Sequence, residues 1–157
     1  MTSTDHVAEV LAGYGLALNP ALGVRGDYAP VRVVGTTAWV SGVTGRGPDG
    51  PGPAGVVGDT VSLEDARFAA RRAAANLLSS LEFHVGLVRL AALGHLRGYV
   101  RAVPEFDRHP AVIDAASEVL ARALGPDAGL HARTALGVAS LPGGAAVELD
   151  LVAHLRG

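Results

Sequence analysis

The stretch HARTALGVASLPGGAAVELDLVAHL, residues 131–155, decides the fold. Both of its arms alternate with a period of two, the signature of strands with one buried face. In the first arm Ala132, Thr134, Leu136 and Val138 share one face, and His131, Arg133, Ala135 and Gly137 share the other. In the second, Val147, Leu149, Leu151, Ala153 and Leu155 form the apolar face, opposite Glu148, Asp150, Val152 and His154. Leu141-Pro-Gly-Gly144 between the arms supplies turn residues, so the expectation is an antiparallel pair with its apolar faces under helices. That placement leaves Arg133 on an uncovered polar face beside two carboxylates.

Two readings of Arg133 stand. It forms an ion pair with Glu148 or Asp150 across the pair, or its planar, permanently charged fork grips a substrate carboxylate. Glu148 is either a strand-surface carboxylate or a base that shuttles protons for a bound water.

Upstream, Ser62-Leu-Glu-Asp65 reads as a helix start, and Ala66, Ala70, Ala73, Leu77 and Leu81 continue at helical spacing to about Phe83. Arg67, Arg71 and Arg72 fall off that stripe and read as a solvated face. Pro110 opens a second helix with Val112, Ile113, Ala116, Val119 and Leu120 on its apolar side, and Gly125-Pro126 is expected to end it. Between the helices, Gly98 to Val103 reads as a strand that extends backwards past Gly94. A short helix is expected from Thr4 or Ser3 to about Tyr14, then two strands at 31–34 and 38–41. The fold class is therefore α+β, a mixed sheet with both main helices on one face, in a single domain spanning 1–157 with an N-terminal extension over 1–25.

Residues 42–58 hold seven Gly and three Pro in seventeen positions and read as a long surface loop. The loop twice satisfies G-x-G-x-x-G, but Pro48, Pro51 and Pro53 interrupt it and no helix follows directly, so a dinucleotide site is rejected.

All 13 basic residues are Arg, and Lys and Cys are absent. Lysine Schiff bases, a Walker lysine, thiol nucleophiles and Cys-bound zinc are thereby excluded. The histidines show no metal-binding spacing, so neither a metal nor a cofactor is expected. A net charge of −2 with few aromatics argues against a nucleic-acid partner. No apolar run is long enough to span a membrane, and the N-terminus lacks a signal-peptide pattern, so the expected location is cytoplasmic.

His-Ala-Arg133-Thr-Ala-Leu-Gly-Val-Ala-Ser-Leu-Pro142 followed by Ala-Val-Glu148-Leu-Asp resembles the C-terminal signature of the YjgF/YER057c/UK114 family, also called Rid and formerly endoribonuclease L-PSP. Tyr28 in Gly-Asp-Tyr, Val40-Ser41-Gly42, the Asn76-Leu-Leu segment and Phe106 through Asp114 match the remaining blocks in order. The likeness covers nearly everything after residue 26, and the N-terminal helix and glycine loop place it with the longer branch of the family.

The resemblance implies a chorismate-mutase-like fold and a homotrimer whose sheets line a central barrel, with ligand sites between subunits. It further implies hydrolysis of 2-imino and enamino acids to 2-keto acids and ammonia. Arg133 would hold the substrate carboxylate, the backbone of Ala135 would meet the imine nitrogen or water, and Glu148 would activate water. Tyr28, Ser41 and Gly42 would line the pocket, with Asp114 beside it where many relatives carry Asn. The alternatives are a non-catalytic trimer that binds a small carboxylate, and an imine-handling enzyme of a biosynthetic cluster.

Overall fold

The computed structural model describes residues 2–157. Its elements run α1 (Thr4–Gly13), β1 (Val31–Val34), β2 (Thr37–Thr44), α2 (Leu63–His84), β3 (Leu90–Arg101), α3 (His109–Gly129), β4 (Ala132–Val138) and β5 (Val147–Leu155). One mixed five-stranded sheet has the order β1-β2-β5-β3-β4. This is the YjgF-type, chorismate-mutase-like α+β fold. No helix among the described residues is long and apolar enough to cross a membrane.

The final two strands do not pair with each other. β5 inserts antiparallel between β2 and β3, while β4 lies parallel to β3 at the sheet edge, with α3 as the crossover. Parallel neighbours need such a long connection, which α3 provides. Alternation shows which residues of each strand share a face, but neither which face is covered nor which strand lies alongside. The contrast in burial explains the placement: all five residues of the apolar face of β5 are buried, as a central strand requires, whereas β4 is largely exposed.

The face of β4 is also the reverse of the expected one. Paired residues in a sheet share a face, and Arg133 pairs with Leu96, which pairs in turn with Leu151. Both leucines are buried beneath the helices. Arg133, Ala135 and Gly137 therefore turn toward α3, and Thr134 and Leu136 toward the open face. Small residues suit this side because α3 sits close: a Cβ at Gly137 would stand 2.5 Å from His109 Nε2, and one at Gly98 2.5 Å from Ile113 Cδ1.

Both main helices cover one face, as expected. Ser62 Oγ accepts from the Asp65 backbone N–H and starts α2. Val7 and Leu11 bury α1, which packs on α3. At Gly125 (φ 80°, ψ 170°) α3 kinks, and Pro126, suited to a first turn, begins one more turn rather than ending the helix. The arginines of α2 are not simply solvated: Arg67 donates to the Ala111 carbonyl, and Arg72 pairs with Asp49 at 2.9 Å. β2 runs through Thr44, so Gly42–Thr44 belongs to a strand. The rest of the glycine stretch is pinned by isolated bridges such as Ala54↔Ala145 and Val57↔Ala102.

Candidate functional site

Two clefts on opposite sides of the sheet take in Arg133, Tyr28, Gly42 and Glu148, whereas Ser41, Asp114 and Ala135 line neither. The first is at the α3–β4 edge. Arg133 Nη1 donates to Asp114 Oδ1 at 2.7 Å and to Ser117 Oγ at 3.2 Å. Neither Glu148 nor Asp150 is its partner; Asp150 instead accepts from Arg97 Nε (2.7 Å) and from Tyr99 OH (2.9 Å) on the open face. The Nε/Nη2 edge of Arg133 has no acceptor among the described residues, so the side-on fork that binds a carboxylate bidentately is free. Beside it lies a cleft of about 360 Å³, lined by Ser117, Leu130, His131 and Arg133. Ala135, two residues on, packs partly buried against the core.

His131 belongs to this cluster and not to the open face that His154 occupies. Its Nδ1 lies 2.7 Å from the Gly129 carbonyl and its Nε2 3.0 Å from Ser117 Oγ. A carbonyl only accepts, so Nδ1 carries the proton and Nε2 of the neutral ring accepts from the Ser117 hydroxyl. Burial, and to a lesser extent the charge of Arg133, pushes the His131 pKa down and favours that neutral form. The result is a directed chain in which Arg133 donates to Ser117 and Ser117 donates to His131. Sequence reading missed Ser117; its position three residues after Asp114 on α3 was the available signal.

The second cleft, about 790 Å³, is lined by Tyr28, Gly42, Thr44, Glu148 and two arginines, Arg25 and Arg46. Glu148 pairs in register with Tyr99 and Thr44, which places it on the open face of the sheet. Burial raises its pKa, and the charge of Asp150 two residues away adds to the rise. The β2–β5 register shifts between Val40, which pairs with Leu151, and Val43, which pairs with Leu149, so Ser41-Gly42 forms an irregularity opposite Asp150. A Cβ at Gly42 would overlap Glu148 Oε1 and lie 3.3 Å from its Cδ, which is why glycine stands there. Ser41 is structural in its contacts: its Oγ donates to the Ala29 carbonyl at 2.7 Å and its N–H to the Pro30 carbonyl, holding the segment that carries Tyr28. The Tyr28 side of the cleft is open, with Tyr28 50% exposed. Asn76 is buried in α2 and donates from Nδ2 to the Thr44 and Arg46 carbonyls, both at 2.8 Å, which ties the end of β2 to the helix.

Arg133 and Glu148 thus cannot meet one small substrate within a single chain, because β3 separates their strands and the sheet separates their side chains. Each cleft offers a different element of a site: an anchor for a carboxylate in one, a carboxyl group of raised pKa beside a tyrosine in the other.

No family model matches the chain. It is similar to Protein TCP17 of Trypanosoma cruzi, at 30% identity over 157 residues, covering 99% of this chain and 98% of that protein. Among solved structures it resembles the protein Atu1372 of Agrobacterium tumefaciens, of unknown function, at 32% identity and a TM-score of 0.90, covering 98% of this chain and 94% of the other. A provisionally named endoribonuclease of Shewanella oneidensis MR-1 is 25% identical with a TM-score of 0.87, over 95% and 99% of the two chains. The YjgF gene product of E. coli shares the fold at 19% identity and a TM-score of 0.58, over 83% and 90%.

Proposed function

The chain belongs to the YjgF/YER057c/UK114 family, and on that premise we propose that it hydrolyses 2-imino and enamino acids to 2-keto acids and ammonia. The observation that carries the reading is the free Nε/Nη2 fork of Arg133, held rigid through Nη1 alone. In this scheme Arg133 fixes the substrate carboxylate. Water adds to the imine carbon while Glu148 takes a proton from it. The carboxyl group then returns that proton to the nitrogen of the carbinolamine, and as the C–N bond breaks and ammonia leaves, Glu148 takes the hydroxyl proton so that the C=O bond forms; that proton passes to the released ammonia. A carboxyl group of raised pKa suits these transfers. The imine carbon is already electrophilic, so positioning of three groups suffices.

Placement on opposite faces supports a site shared between copies, with Arg133 from one subunit and Tyr28 and Glu148 from the next. A homotrimer with the open faces turned inward would also cover Trp39 and Leu136, exposed hydrophobic side chains of that face. A second reading, carboxylate binding without catalysis, draws support from the Arg133 cleft, which Glu148 of the same chain does not line. We do not carry over the endoribonuclease name, since a chain of net charge −2 lacks the basic track that phosphates require.

The test is to generate 2-imino acids in situ with an amino-acid oxidase and follow their decay. Wild type is expected to accelerate decay and Arg133→Ala to abolish the effect. No acceleration by wild type sinks the enzymatic reading, while carboxylate binding that is lost in Arg133→Ala then favours the second. Light scattering that finds a monomer leaves the shared site without its other half.

A further inference from the structure

Two arginines on the Glu148 side of the sheet have no task in the scheme above. Arg25 and Arg46 both line the 790 Å³ cleft with Tyr28, Gly42 and Glu148. Neither forms an ion pair among the described residues, although five other arginines do. The carboxylates nearest in sequence are not used to neutralise them: Asp49, three residues after Arg46, is drawn away to Arg72, and Asp27 pairs with neither arginine. Glu148, the acidic group in the cleft itself, makes no ion pair with them either.

Arg46 is nevertheless placed with care. Its backbone carbonyl is held by Asn76 Nδ2 at 2.8 Å, and its Nη2 donates to the carbonyl of Gly23, in the segment that carries Arg25. One arginine thereby anchors the loop that presents the other, and two like charges are kept near each other. Burial lowers the Arg46 pKa, and the charge of Arg25 lowers it further. Repulsion of this kind, in a partly desolvated cleft, is relieved by an anion bound between the two groups.

We infer that Arg25 and Arg46 form a second anion subsite that selects substrates with a carboxylate on the side chain, so that the preferred substrates are 2-imino dicarboxylates. The inference rests on the proposed hydrolysis, in which the 2-carboxylate is taken by Arg133; the second acidic group is what remains for this pair. The cleft has the volume for it, being larger than a three-carbon imino acid needs. Chemically, the step that supplies such a substrate is oxidation of an acidic amino acid at its α-carbon, and the product is a 2-keto dicarboxylate.

The experiment compares two imines made in situ, 2-iminosuccinate from D-aspartate with D-aspartate oxidase and 2-iminopropionate from D-alanine with D-amino-acid oxidase. Wild type should clear the dicarboxylate at least tenfold more efficiently. Arg25→Gln, at an exposed residue, should lose most of that ratio without a change in melting temperature, and Arg46→Gln should lose it too, with a lower melting temperature because its contact to the Gly23 carbonyl goes with the charge. A wild-type ratio near one, or a ratio that both variants retain, overturns the inference. If wild type clears neither imine, the hydrolytic reading fails and titration calorimetry with the keto acids decides the subsite by itself. In that case 2-oxoglutarate binding at least tenfold tighter than 2-oxobutyrate, with the difference lost in Arg25→Gln, supports it, and equal affinities overturn it.

Discussion

Replacement of Gly42 by Ala tests whether the position of the Glu148 carboxyl group matters to the chemistry. The added Cβ would overlap Glu148 Oε1 and press on its Cδ at 3.3 Å. Because the obstacle is the far end of a flexible side chain, the carboxyl group can swing aside by about 1 Å at little cost in folding energy, and the change in stability should stay within about 0.5 kcal/mol. For catalysis the same displacement is severe. A misplacement of about 1 Å in a reacting group is worth roughly 100-fold in rate, or about 2.7 kcal/mol of barrier. Steady-state decay of 2-iminopropionate, with thermal melting as a control, should therefore show kcat down by about two orders of magnitude, KM little changed and the melting temperature preserved. Substrate binding is spared because the carboxylate anchor is Arg133, in the other cleft. If Gly42→Ala keeps wild-type kcat, Glu148 is not the water-activating group and the assignment of the second cleft falls.

Arg133→Lys keeps the charge but loses the fork, so KM should rise at least tenfold (~1.4 kcal/mol) while stability is nearly unchanged. Asp114→Asn acts in the opposite direction: it withdraws the anion that competes for Arg133, and a severalfold fall in KM measured on the same substrate is expected. For Glu148, the folded pKa is raised, so its contribution to stability is fully present below the unfolded glutamate pKa and lost as pH rises through the folded value. Glu148→Gln should consequently melt higher than wild type at neutral pH, lose that advantage in acid, and be inactive; an equal melting temperature at both pH values would contradict the assigned environment. Gly98→Ala forces a methyl into Ile113, against Cδ1 at 2.5 Å and Cγ1 at 2.6 Å, and should cost about 1–3 kcal/mol in urea unfolding. Combined with Ile113→Ala the loss should be well below the sum of the single losses.

The elements of this fold were largely legible because each had a local cause. Ser62 caps α2, the apolar residues of α2 and α3 recur at helical spacing, and β5 alternates without a break. Pairing was not legible, since a period of two says which residues share a face and nothing about which strand lies alongside. Leu141-Pro-Gly-Gly144 has the composition of a hairpin turn, but tertiary packing decided otherwise: of the last two strands the one with a fully buried apolar face went to the centre of the sheet and the more exposed one to its edge. That outcome also reversed Arg133. Gly137 is small because the His109 ring stands against it. Of the site residues suggested by the resemblance, Arg133 lines one cleft and Tyr28, Gly42 and Glu148 the other, while Ser41, Asp114 and Ala135 line neither. Ser117, Arg25 and Arg46 escaped because a lone serine in a helix and arginines in glycine-rich loops carry no period or motif.

The insertion of β5 has a consequence for how the site is divided. Had the last two strands paired directly, Arg133 and Glu148 could have stood on one face of one chain, where the permanent cation would hold the carboxylate ionised and lower its pKa. With β3 between their strands and the sheet between their side chains, Glu148 is instead perturbed by burial and by Asp150, both of which raise its pKa. In the proposed hydrolysis, a group that accepts and returns a proton benefits from that separation. Assembly would then bring the cation of one copy toward the carboxyl group of another only across a bound substrate, whose own carboxylate faces the arginine. The proposed oligomer is on this view a condition of the chemistry. It follows that a substitution which disperses the subunits, such as a charge at the exposed Trp39 (Trp39→Glu), should abolish imine hydrolysis while leaving the fold of each chain intact by circular dichroism. Activity retained in a demonstrated monomer would show that one chain holds a complete site.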